Sequence, residues 1–71
     1  MPNADERIIT GLMKALDDKE YGIRSLAAYW IGEIGRPASN AVPKLKLVLS
    51  DEHEEVRLAA QEAIRKIQKV D

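Results

Sequence analysis

The side chains able to do chemistry are few. His53 is the single histidine, and cysteine is absent. His53 stands among Glu52, Glu54 and Glu55. An imidazole beside carboxylates could act as a general acid or base, but that role needs burial to move the pKa toward neutrality. Nothing in this polar stretch suggests burial. A histidine in a turn reads as solvated, and acids opening a helix are explained by its dipole. Ser25, Ser39 and Ser50 have no base and orienting partner in view. No glycine-rich phosphate loop occurs. No catalytic set, metal site or cofactor is therefore expected. One charged pattern does recur: Asp18–Arg24 and Asp51–Arg57, each six residues apart. Two arginines at a fixed period can be a structural ladder or an anion grip.

Composition narrows the classes further. The chain has 71 residues, 11 Lys+Arg against 12 Asp+Glu, and a net charge of −1. The signs are balanced in both halves, whereas a nucleic-acid or anionic-membrane surface usually carries a positive excess. No apolar run approaches the ~20 residues that span a bilayer, and no secretory h-region follows Met1. A soluble, cytoplasmic, single-domain protein over 1–71 is the expectation. At this length a core is marginal, because only about 60% of the unfolded surface can be buried.

Four helices must position these residues. Asn3 or Asp5 can cap the first, whose apolar face is Ile8, Ile9, Leu12, Ala15 and Leu16. Gly11 lies inside it and costs about 1 kcal/mol against Ala unless another backbone approaches. After the polar turn at Asp17–Glu20, a second helix runs from Tyr21 to Ile34. Ile23, Ala27, Ile31 and Ile34 form its stripe, and Gly35 and Pro37 end it. Ser39 or Asn40 can cap the third helix, with Pro43 in its first turn and Val42, Leu45, Val48 and Leu49 inward. A second turn at Ser50–His53 leads into a fourth helix reaching about Lys69. Acids open it and Arg65, Lys66 and Lys69 close it.

The halves are copies. Shifting the chain by 33 residues aligns Leu12 with Leu45, Leu16 with Leu49, Asp18 with Asp51 and Arg24 with Arg57. It also aligns Ala27 with Ala60, Ile31 with Ile64 and Ile34 with Ile67. Matching of core and turn at a fixed period marks a repeat array. The repeats span about 5–36 and 39–70.

Ala41-Val42-Pro43-Lys44-Leu45, Leu49-Ser50-Asp51-Glu52 and Val56-Arg57-Leu58-Ala59-Ala60 resemble HEAT-like repeats, in particular the short kind named for phycobilisome lyases. Ile23-Arg24 and Gly32-Glu33-Ile34-Gly35 resemble the second helix of such a unit and its closing glycine. The resemblance covers nearly all of the chain after Ile8. It implies an all-α fold of two stacked helical hairpins, a short α-solenoid. It also implies that Asp18 and Asp51 cap the second helices while Arg24 and Arg57 bridge repeats. The His-Glu iron ligands of HEAT-like hydroxylases fall here on Leu58-Ala59 and Ser25-Leu26, so that activity does not carry over. The chain departs from the family at Trp30, where a small residue is usual, and at Tyr29, where a charge is usual.

The function implied is a non-catalytic scaffold or protein-binding module with a protein partner. Self-assembly through exposed hairpin ends is the alternative, and an accessory role to a lyase or nucleic-acid enzyme is the weakest reading. The exposed side of the second-helix layer should carry Ser25, Tyr29, Gly32, Arg36, Leu58, Gln61, Glu62 and Arg65. Tyr29, Trp30, Arg36, Leu58 and Arg65 are the candidate contact residues, with Tyr21 able to extend an aromatic patch. Trp30 also has a simpler reading, as core filling between the hairpins.

Overall fold

A computed structural model describes residues 3–69. The expected domain ends at 1–2 and 70–71 lie outside them. Helix α1 spans Ala4–Ala15, α2 Tyr21–Ile34, α3 Val42–Val48 and α4 Glu54–Ile67, with a 3-10 segment at Arg36–Ala41. The chain is all-α, two helical hairpins stacked side by side, and α2 packs chiefly against α4.

Local chemistry accounts for the boundaries. Asn3 accepts a hydrogen bond from the Glu6 N–H at 2.8 Å, so the first of the two expected caps is used. Both hairpin turns are built alike. The Glu20 N–H donates to Asp18 Oδ1 at 2.8 Å, and the His53 N–H donates to Asp51 Oδ1 at 2.9 Å. The aspartates therefore brace the turn just ahead of each second helix; its first N–H groups are not their partners. Gly35 closes α2 with φ 77° and ψ −140°, a backbone region that only glycine enters without strain. The start of α3 corrects the sequence reading. Ala41 precedes it and no side chain caps it. Ser39 instead donates its hydroxyl to the Arg36 carbonyl at 2.5 Å within the 3-10 segment.

Among the described residues the core is aliphatic and rich in alanine: Ala27, Ala28, Ala38, Ala41, Ala60 and Ala63 join Ile9, Leu16, Ile31, Leu45, Val48, Val56 and Ile67. Small residues let the helices approach closely. At Gly32 an added Cβ would sit 2.8 Å from the Ala63 Cα. Gly32 is thus buried in the α2–α4 seam and does not belong to the open surface where the sequence had placed it. Ala28, which is outside the expected stripe, is fully buried. Ile8 and Ile23, expected inside, are 55% and 43% exposed. The core role for Trp30 fails as well, since its residue is 49% exposed.

Two glycine substitutions should act in opposite directions. Gly11 has open space around it. Gly11→Ala should stabilise the protein by about 0.5–1 kcal/mol in urea denaturation. Gly32→Ala should destabilise it by about 1–3 kcal/mol, because backbone stands where the methyl would go.

Candidate functional site

The repeated Asp–Arg pattern forms one clamp. Arg24 Nε donates to Asp51 Oδ2 at 2.7 Å and its Nη2 to Asp51 Oδ1 at 3.1 Å, while Nη1 donates to the Asp18 carbonyl at 2.8 Å. One guanidinium thus ties the turn of its own repeat to the turn of the next. Its forked donors match the carboxylate, which is the strong geometry for such a pair. Both side chains are nearly buried, 12% and 11% exposed. The Arg24 hydrogen bond, joined by the His53 N–H, holds the Asp51 carboxyl below the usual carboxylate range against the opposing effect of desolvation. Arg57 repeats half of the arrangement. Its Nη1 donates to the Asp51 carbonyl at 2.8 Å. Among the described residues no carboxylate pairs with it.

Three further ties cross between the repeats. Lys66 Nζ donates to Glu33 at 2.6 Å, Lys44 Nζ to Asp17 at 2.5 Å, and Arg36 Nη2 to the Lys69 carbonyl at 2.8 Å. Two of the three cations at the end of α4 are engaged within the chain. Arg65 makes a two-pronged bond to Glu62, at 3.0 and 2.9 Å, and Lys66 is spent on Glu33.

The surface of the second-helix layer carries two aromatic groups. Tyr29 meets Trp30 edge to face with ring centroids 5.2 Å apart, and the Lys66 ammonium lies 5.3 Å from the Tyr29 ring. The Tyr29 hydroxyl donates weakly to Glu33 at 3.5 Å. Near the starts of α2 and α4, Tyr21 stacks on His53 with centroids 4.2 Å apart, and Leu58 borders the same shallow hollow. The expected Tyr21–Tyr29 patch is therefore two separate patches, and His53 is a half-buried stacking partner, not a solvated turn residue. Of the candidate contact residues, Tyr29, Trp30 and Leu58 are 47%, 49% and 52% exposed. Arg36 and Arg65 are engaged within the chain. The Tyr21–His53 stack was not foreseen. Its only sequence signal is that Glu20 and His53 align at the 33-residue shift, placing Tyr21 beside a turn.

A mixed-sign hollow between the turns, lined by Asp17, Asp18, Lys19, Lys44, Asp51 and Glu52, is where the clamp reaches the surface. Among the described residues no group of three His, Cys, Asp or Glu is placed to hold a metal ion, and no helix is long and apolar enough to cross a membrane. The family model for HEAT repeats matches residues 9–71. The chain belongs to the HEAT-repeat family. No curated protein and no solved structure matches it. In HEAT terms the Arg24–Asp51 bond is the rung between adjoining repeats, and Arg57 is a rung with one end open.

The clamp yields two expectations. Arg24→Ala should lower the melting temperature more than Arg57→Ala, because Arg24 makes two bonds across the seam and one within its own repeat, whereas Arg57 makes only the one within its own repeat. An Arg57→Ala melting temperature equal to wild type would deny Arg57 a structural role. The second concerns acid. The depressed carboxyl of Asp51 contributes stability that is complete above its unfolded pKa, near 4, and is lost as the pH falls through the lower folded value. Glu33 and Glu62, lowered by Lys66 and Arg65 respectively, act in the same sense but are more exposed and screened. Melting temperatures between pH 7 and 3 should therefore fall below about pH 4. The fall should be shallower in Asp51→Asn, and identical profiles would refute the assignment.

Proposed function

We propose that this protein is a non-catalytic interaction module that binds a protein partner through its second-helix surface. HEAT repeats generally serve as protein-interaction and scaffolding modules. The observation that carries the reading is the pair of half-exposed apolar groups on that surface: Tyr29, braced edge to face by Trp30, and Leu58 beside the Tyr21–His53 stack. Rigid aromatic rings lose little entropy on docking and recur at the energetic centres of interfaces. Each ring here is already held by a neighbour, so the surface is ordered before a partner arrives. Lys66 and Glu33 frame Tyr29 with both signs of charge, and Arg65 and Glu62 continue that balance along α4. A surface of this kind suits a partner of mixed polarity better than a polyanion. Arg36 and Arg65 serve as framing groups around the aromatic contacts.

Affinity capture from the cells that make the protein tests the surface. Tyr29→Ala and Leu58→Ala should each weaken recovery of the wild-type partner, by about tenfold or more if either is an energetic centre. Both substitutions are at half-exposed positions and should leave the helical circular dichroism unchanged. Full recovery with both variants would move the interface elsewhere.

A further inference from the structure

The 33-residue correspondence lets each side of repeat 1 be compared with the same side of repeat 2. On repeat 2, the side turned toward repeat 1 is covered. Ala41, Leu45 and Val56 are 0% exposed and Ala63 is 1% exposed. The corresponding residues of repeat 1 are Ile8, Leu12, Ile23 and Trp30. Ile8, Ile23 and Trp30 are 55%, 43% and 49% exposed, and Leu26, the counterpart of Ala59, is 54% exposed. They share the outer end of the first hairpin. The opposite end of the molecule is different. Where α2 presents Ala28 and Gly32 to α4, α4 presents exposed Gln61 and Arg65 to the outside. One end is apolar and open. At the other, Gln61 and Arg65 flank a single exposed apolar residue of α4, Leu58.

An ordinary further hairpin does not fit the open end. The stacking seen inside the chain depends on Ala63 lying against Gly32 with no room for one more carbon. Trp30 occupies the Ala63 position at the open end, and an indole there holds off any hairpin at that spacing. Head-to-tail stacking of copies fails for the same reason, since it would set Trp30 against Arg65. Face-to-face stacking does not. Ile23, Leu26 and Trp30 are spaced three and four apart, the seam spacing of a packed helix pair. If two α2 helices cross antiparallel about a twofold axis between Leu26 and Ala27, each Trp30 lies over Ile23 of the other copy. Leu26 then meets Leu26 near the axis. Large residues meet medium ones, and Glu33, the acid nearest the seam, is paired with Lys66.

We propose that a second copy of this chain covers the open end, giving a closed twofold dimer through α2. Isologous contacts of this kind are the commonest in soluble oligomers. A stable interface takes about 800 Å² per partner. That is roughly a sixth of the 4836 Å² surface. Further growth is disfavoured because the far end of each copy presents Gln61 and Arg65 around a single apolar side chain, Leu58. The proposal concerns the end of the stack and does not depend on the second-helix surface as a partner site.

Sedimentation and the emission of Trp30, the only tryptophan, test it together. Wild-type protein should sediment as a dimer at about 100 µM, with tryptophan emission that shifts to the red on dilution as the monomer forms. Leu26→Glu should sediment as a monomer with unchanged helical circular dichroism and red-shifted emission at every concentration. Arg65→Glu, at the far end, should remain dimeric. A wild-type monomer at 100 µM overturns the proposal and reserves the face for a different protein. A dimer that survives Leu26→Glu, or that Arg65→Glu dissolves, overturns it as well.

Discussion

A single guanidinium holds the two halves of this molecule in register. Arg24 leaves α2, turns back to the carbonyl that ends its own hairpin turn, and grips the carboxylate that organises the next. Taking two charges out of water is unfavourable unless the geometry and the remaining hydrogen bonds are good. Here they are. Asp51 is filled by Arg24 and the His53 N–H, and no buried side-chain polar atom among the described residues lacks a partner. The gain in net stability from such a pair is modest. Its larger consequence is placement, because breaking either end would strand the other in a nearly dry seam. The α2–α4 spacing follows from that placement, and the spacing in turn demands Gly32 and Ala63 where they meet.

The core is the complement of that constraint. A seam lined by alanines and one glycine buries little area per residue but brings helix backbones close, so dispersion contacts are dense. Besides the buried isoleucines, leucines and valines, many of the large side chains lie outside it. Trp30, both tyrosines, Ile8, Ile23, Leu26, Leu47 and Leu58 all retain substantial exposure. A chain of this size that puts its bulk on the surface has less apolar area to stabilise itself alone. It also has more to offer a neighbour. The architecture and the proposed interaction role have the same origin: a closely spaced interior of alanine and branched aliphatic residues leaves every aromatic ring at the surface.

That division separates the two surfaces physically. Tyr29 and Leu58 face away from the hairpin layer, Tyr29 against the Lys66 ammonium and Leu58 at the hollow beside the Tyr21–His53 stack. Ile23, Leu26 and Trp30 face along the stacking axis, where their counterparts in the second repeat are covered. Adjacent residues on one helix thus serve different surfaces, because a step of one residue turns the helix by about 100°.

Much of this was legible in the sequence, for identifiable reasons. Helix α2 begins at Tyr21 and ends at Ile34 as expected, because Gly35 and Pro37 are local signals that need no tertiary context. The repeat, the paired turns and the importance of Asp18, Arg24, Asp51 and Arg57 were visible because period and identity are properties of the chain itself. The start of α3 was missed because Ser39 found a carbonyl nearer than the N–H groups of the helix. Gly32, Ile23 and Trp30 were misplaced for a deeper reason. A helical stripe says which residues share a direction, and only the presence or absence of a second hairpin in that direction decides burial. Val56 and Ile23 hold the same position in their repeats, yet Val56 is fully covered and Ile23 is 43% exposed, because the first hairpin packs over the side of the second on which Val56 lies.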